Sequence, residues 1–92
     1  MRIVERNRRE KFAEIDIIAY DRDTLCFVEV RTREDTALGH PAETVTYNKQ
    51  KNIRRAAEAF LARKNIIDCP VRFDVVTITW NDFKLEYFEN AF

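Results

Sequence analysis

The run from about Thr44 to Lys64 constrains this chain more than any other segment. Ile53, Ala56, Ala57, Phe60 and Leu61 recur at steps of three and four, which places them on one stripe of a helix. Arg54, Arg55, Glu58 and Arg63 fall on or near the opposite side. On both sides of that helix the pattern becomes that of strands. Residues 2–9 begin with Ile3 and Val4 and turn basic at Arg6, Arg8 and Arg9, as a weak edge strand would. Residues 13–20 alternate, with Ile15, Ile17 and Ala19 on one face and Glu14, Asp16 and Ile18 on the other. The polar turn Asp21-Arg22-Asp23 joins them to a strand over 24–31, so a hairpin is expected. A loop at 32–43 holds Gly39, His40 and Pro41, and after Pro70 come a strand at 71–80, a turn at Asn81-Asp82 and a short strand at 83–89. The predicted order is βββαββ, an α/β domain with a mixed sheet. A helix of this length serves as a crossover, so the third and fourth strands should be parallel neighbours joined in the right-handed sense.

Ninety-two residues, 46% of them hydrophobic, suffice for one domain spanning 1–92 and not for a second core. The third strand offers Cys26, Val28 and Val30 to one side and Leu25 and Phe27 to the other. A strand apolar on both faces belongs to a sheet covered on both faces, and one helix covers only one. The second face would be covered by another copy in a homodimer, by a segment outside this chain, or by the loop at 32–43. Sixteen basic and sixteen acidic residues cancel, which excludes a wholly basic nucleic-acid tail and makes any anion site local. Cys26 and Cys69 form no CxxC pair and there is one His, so no ordinary zinc cluster can be written; two reduced thiols in a cytoplasmic protein are expected. The apolar runs fall far short of the ~18 residues that span a bilayer, and Met1-Arg2-Ile3-Val4-Glu5-Arg6 lacks the apolar core of a signal peptide.

Asp16 lies in an otherwise apolar strand and Glu29 near the end of the next. Carboxylates in a sheet are costly to bury without partners, and antiparallel neighbours can bring them together. Glu14 and Asp16 share a face by parity, as do Glu29 and Arg31. A Mg²⁺ or Mn²⁺ ion would take Asp16, Glu29 and the backbone carbonyl of Val30, with water completing its shell. Arg31 would then donate to a phosphate in the bidentate manner. The simpler alternative is a set of ordinary ion pairs at strand ends.

Lys49, Lys51, Arg54 and Arg55 fall within seven residues that contain no acid, and Arg31 and Arg33 leave the third strand nearby. These six residues are candidate nucleic-acid contacts, with Gln50 a further amide donor; a solvated helix face explains them equally well. Glu43 is either a local partner of the helix start or an accessory acid. Trp80, Tyr87 and Phe88 are either a stacking surface or core.

Several segments together resemble the YraN-like family of uncharacterised bacterial proteins, related in fold to restriction endonucleases and Holliday-junction resolvases. They are Arg2-Ile3-Val4-Glu5-Arg6-Asn7, Glu14-Ile15-Asp16-Ile17-Ile18, Phe27-Val28-Glu29-Val30-Arg31-Thr32-Arg33, Pro41-Ala42-Glu43, Arg55-Ala56-Ala57, Arg72-Phe73-Asp74-Val75-Val76 and Glu89-Asn90-Ala91-Phe92. The resemblance implies a restriction-endonuclease-like core and a nuclease-type acidic motif. In it Asp16 is the first metal-binding aspartate, Glu29 the glutamate of a Glu-x-Lys element, and Arg31 stands at the lysine position. It also aligns Asp74 with a recurrent aspartate. It implies DNA, branched DNA included, as partner, and a nuclease-like catalytic set of Asp16, Glu29 and Arg31. Family members usually carry Lys where this chain has Arg31 and Gly where it has Ala13, and generally an N-terminal helix ahead of the segment that starts here at Met1. The Arg exchange implies that phosphate binding persists while hydrolysis weakens or is lost. The alternatives are a non-catalytic nucleic-acid-binding or repair-associated module and a small dimeric interaction protein.

Overall fold

The computed structural model describes residues 1–33, 45–81 and 83–92. Among the described residues the order is β1 (Arg2–Arg9), β2 (Glu14–Asp21), β3 (Thr24–Arg33), α1 (Tyr47–Arg63), β4 (Val71–Thr79) and β5 (Lys84–Phe88). The expected βββαββ order is therefore present, in a five-stranded mixed sheet ordered β1-β2-β3-β4-β5. β3 and β4 are parallel and the other pairs antiparallel. β1 lies at the edge, as its charges suggested, with a register shift between Ile3 and Glu5. β3 runs two residues further than the alternation indicated.

The β2–β3 hairpin turns on two residues, Arg22 and Asp23, and Arg22 adopts φ 56° without a glycine. Thr46 caps α1, its Oγ1 accepting the Lys49 N–H at 3.2 Å. At the other end Asn65, φ 55°, takes the left-handed position after the helix, and the Ile66 N–H donates to the Leu61 carbonyl.

The helix packs on one face of the sheet. Ile15, Ile18, Leu25, Phe27, Ala56, Ala57 and Phe60 form the main core, with Phe27 edge-on to Phe60 and stacked on Phe73. Ile15 and Ile18 are both buried here although three positions apart, so the strict alternation read for β2, which separated them, does not hold. The β2–β3 register runs only to Ile17↔Val28, one residue before Asp16. Val45, Ile53 and Val75 make a second cluster, closed by Ala91 and Phe92. The chain's last residues fold back there, the Ala91 N–H donating to the Phe73 carbonyl and Phe92 stacking on Phe73.

The second face is covered in part by the chain itself. Ala19, Cys26 and Val28 are buried. Above the small side chains of Ala19 and Cys26, Arg72 reaches from β4 across β3 to Asp21 on β2, at 3.0 Å, while its Nε holds Asp74 at 2.9 Å. Tyr87 of β5 donates to Asp74 and lies 3.5 Å from the Met1 sulfur, so the sheet curls until its two edges meet over this face. Toward the other end Ile17, Val30, Val76 and Ile78 stay half-buried and Leu85 exposed. Cys26 and Cys69 are both free thiols. No helix among the described residues is long and apolar enough to cross a membrane.

Candidate carboxylate groove

Glu29 occupies β3 just beyond Phe27 on the helix-covered face, and it is 5% exposed. The first turn of α1 contains no acid, and its Lys49 pairs instead with Glu29 of the sheet. Lys49 Nζ lies 2.9 Å from Glu29 Oε1, and Arg31 Nη1 lies 3.7 Å from the same oxygen. The Thr46 cap fixes the turn that carries Lys49.

Asp16 meets the same region from β2. Its Oδ2 accepts the Val30 N–H at 2.8 Å, so a side chain takes over where the β2–β3 ladder stops. The Val30 amide is thus committed to Asp16. Asp16 and Glu29 line one groove of about 410 Å³ with Phe12, Ala13, Glu14, Thr46, Asn48, Lys49 and Asn52. Asp16 also borders a groove on the other side of the sheet, with Arg6, Asn7, Ile17 and Val30. Glu14 lines the shared groove but its carboxylate turns to Arg9, 3.7 Å away, and is 42% exposed. Among the described residues no three His, Cys, Asp or Glu side chains come together to hold a metal. Two hard carboxylates remain, a donor set that suits a Mg²⁺-like ion keeping most of its water.

The basic residues divide by use. Lys51, Arg54 and Arg55 are exposed along α1 and, with Gln50, border a shallow groove on that helix. Arg54 lies over the Phe73 and Phe92 rings, at 4.8 and 5.7 Å, and so also shields the C-terminal cluster. Gln50 Nε2 donates to the Val45 carbonyl, which ties down the helix start. The Arg33 side chain and all of Glu43 and His40 lie outside the described residues. Tyr87 is spent on Asp74, and Trp80 pairs edge-on with Phe83 at the β4–β5 turn.

Two groove residues were missed in the sequence. Asn52 follows Asn48 and Lys49 by one helical turn, a spacing that could have flagged it. Phe12 sits between Lys11 and Ala13 where β1 turns into β2, and nothing local distinguishes it from a core residue.

The sequence pattern of the uncharacterised protein family UPF0102 matches residues 1–78 of this chain. The chain belongs to that family. A UPF0102 protein of Chlorobium phaeobacteroides strain BS1 is 50% identical, the alignment covering 99% of this chain and 79% of the relative. One from Geotalea uraniireducens is 48% identical over 98% of this chain and 73% of the relative. One from Alkaliphilus metalliredigens is 44% identical over 99% and 81%. The UPF0102 match runs through β2, β3 and α1, and so includes Asp16, Glu29 and Lys49.

Proposed function

We propose that this domain binds nucleic acid across the groove of Asp16 and Glu29, and that it belongs with the metal-dependent DNA endonucleases in its chemistry. The observation that carries this reading is Glu29: a buried carboxylate that lines one groove with Asp16 and is paired there with Lys49. Asp16 and Glu29 would hold Mg²⁺ or Mn²⁺, which when bound polarises a phosphodiester and lowers the pKa of its water. The site's own residues have narrower tasks. Asp16 is oriented by the Val30 amide, Lys49 balances the charge of Glu29, and Arg31 offers a planar fork to phosphate oxygens. Arg31 stays protonated and takes no proton from water. Lys51, Arg54, Arg55 and the Arg33 position extend the phosphate track.

Binding to DNA should weaken with salt, and removing Lys51 or Arg55 should reduce the slope of log affinity against log salt by about 1 each. An unchanged slope removes those contacts. For the metal, Mn²⁺ should broaden the backbone amide signals of Val30 and Lys49. The E29Q chain, which keeps its shape, should lose that broadening; unaffected signals in the unmodified chain sink the metal site.

A non-catalytic binding module is the second reading, favoured by Arg31 at the lysine position and by Lys49 already occupying Glu29. With Mn²⁺, R31K is expected to cut nicked or branched DNA faster than the unmodified chain. DNA bound but uncut by both proteins supports the module.

A further inference from the structure

Phe12 stands at the tip of the β1–β2 turn with 43% of its surface exposed. The turn that presents it is firmly held. The Glu10 N–H donates to the Ala13 carbonyl at 3.0 Å. The Glu10 carboxylate, its side chain 1% exposed, joins Arg8 at 2.9 Å and Arg63 of α1 at 3.1 Å. Ala13, the next residue, packs against the core, whereas the Phe12 ring is left outward. Two cations lie over the ring, Arg55 Cζ at 5.0 Å and Lys11 Nζ at 5.9 Å from its centroid, so a base that stacks there takes the free part of the ring or displaces one of them.

That ring borders two grooves at once. One contains Asp16 and Glu29. The other, of about 730 Å³, is lined by the cations Arg8, Arg9, Lys11 and Arg63 and by the acids Glu10 and Glu14. A chain of nucleotides with a phosphate at the carboxylates passes Phe12 as it enters the basic groove. A half-exposed aromatic with cations beside its face, on a turn held by hydrogen bonds and ion pairs, combines the two elements that hold single strands: a ring for a base and charges for its phosphates.

We infer that Phe12 is a base-stacking residue that takes an unpaired base leaving the carboxylate groove, which makes a single strand preferred over continuous duplex. This rests on the nucleic-acid reading above. In a continuous duplex the base faces are already stacked on one another, so Phe12 gains nothing there.

The test compares a labelled single-stranded oligonucleotide with a duplex of equal length, by fluorescence anisotropy at fixed salt. F12L keeps an apolar side chain on an exposed turn, and its melting temperature should match the unmodified chain. It should weaken single-strand binding about tenfold and leave duplex binding within about twofold, while F12W restores the single-strand affinity. If F12L binds the single strand as tightly as the unmodified chain, or weakens both ligands equally, the stacking role is overturned and the nucleic-acid reading stands. If the unmodified chain binds neither ligand, both are overturned.

Discussion

Asp74 is completely buried inside β4. Burial would raise its pKa, but hydrogen bonds from Arg72, Tyr87 and the Asn90 amide outweigh burial and hold the carboxyl below its usual range. Tyr87 is pushed upward in turn, by the desolvation of its hydroxyl and by its hydrogen bond to that carboxylate. The aspartate flagged by family resemblance thus has a definite structural task, tying β4 to β5 and to the chain's last turn. Removing one partner of such a buried set leaves an uncompensated group. Asp74→Asn should therefore cost about 3–5 kcal/mol in urea unfolding, and Tyr87→Phe a smaller ~1.5–3 kcal/mol. Equal, small losses in both would show that Asp74 is not the hub.

At the scale of elements, α1 positions the groove through its first turn. Thr46→Ala removes the acceptor for the Lys49 N–H and should lower stability by about 1 kcal/mol. The same change should loosen Lys49 from Glu29. The expected sign is faster hydrogen exchange at the amides of Lys49 and Gln50, with the amides around Phe60 unaffected. Exchange accelerated evenly along the helix would mean that the cap contributes to global stability without shaping the groove. The β1–β2 turn is the helix's counterpart, fastened to the end of α1 by the Arg8–Glu10–Arg63 chain of charges.

For the whole molecule, Glu10 and Asp74 set the response to acid. Glu10 is held below its ordinary 4.5, first by the hydrogen bond from Arg8 and then by Arg63, against the opposing effect of burial. Asp74 is held below its ordinary 3.8. Both native values are depressed, so the unfolded chain takes up these protons first as pH falls. Their contribution is complete above the unfolded values and is lost as pH drops through the native ones. The urea midpoint should stay level from neutrality to about pH 5 and fall below it. Glu10→Gln should flatten part of that fall; an unaltered acid limb would assign it to other carboxylates.

The sequence by itself determined the order βββαββ, the parallel pairing of β3 with β4 and the edge position of β1, because each follows from local periodicity, connection length and the placement of charge. It also singled out Asp16 and Glu29, since carboxylates in apolar strands are rare enough to stand out. Only the tertiary structure decided which groups those carboxylates meet. Lys49 reaches Glu29 from a helix twenty residues later in the chain, and the Val30 amide finds Asp16 because the β2–β3 ladder ends beside it. Strict alternation misplaced Ile18 relative to Ile15, since both enter the main core. The covering of the second face by Arg72, Asp74 and Tyr87, the return of Phe92 onto Phe73 and the outward ring of Phe12 depend on sheet curl and long-range packing, which no window of neighbouring residues contains.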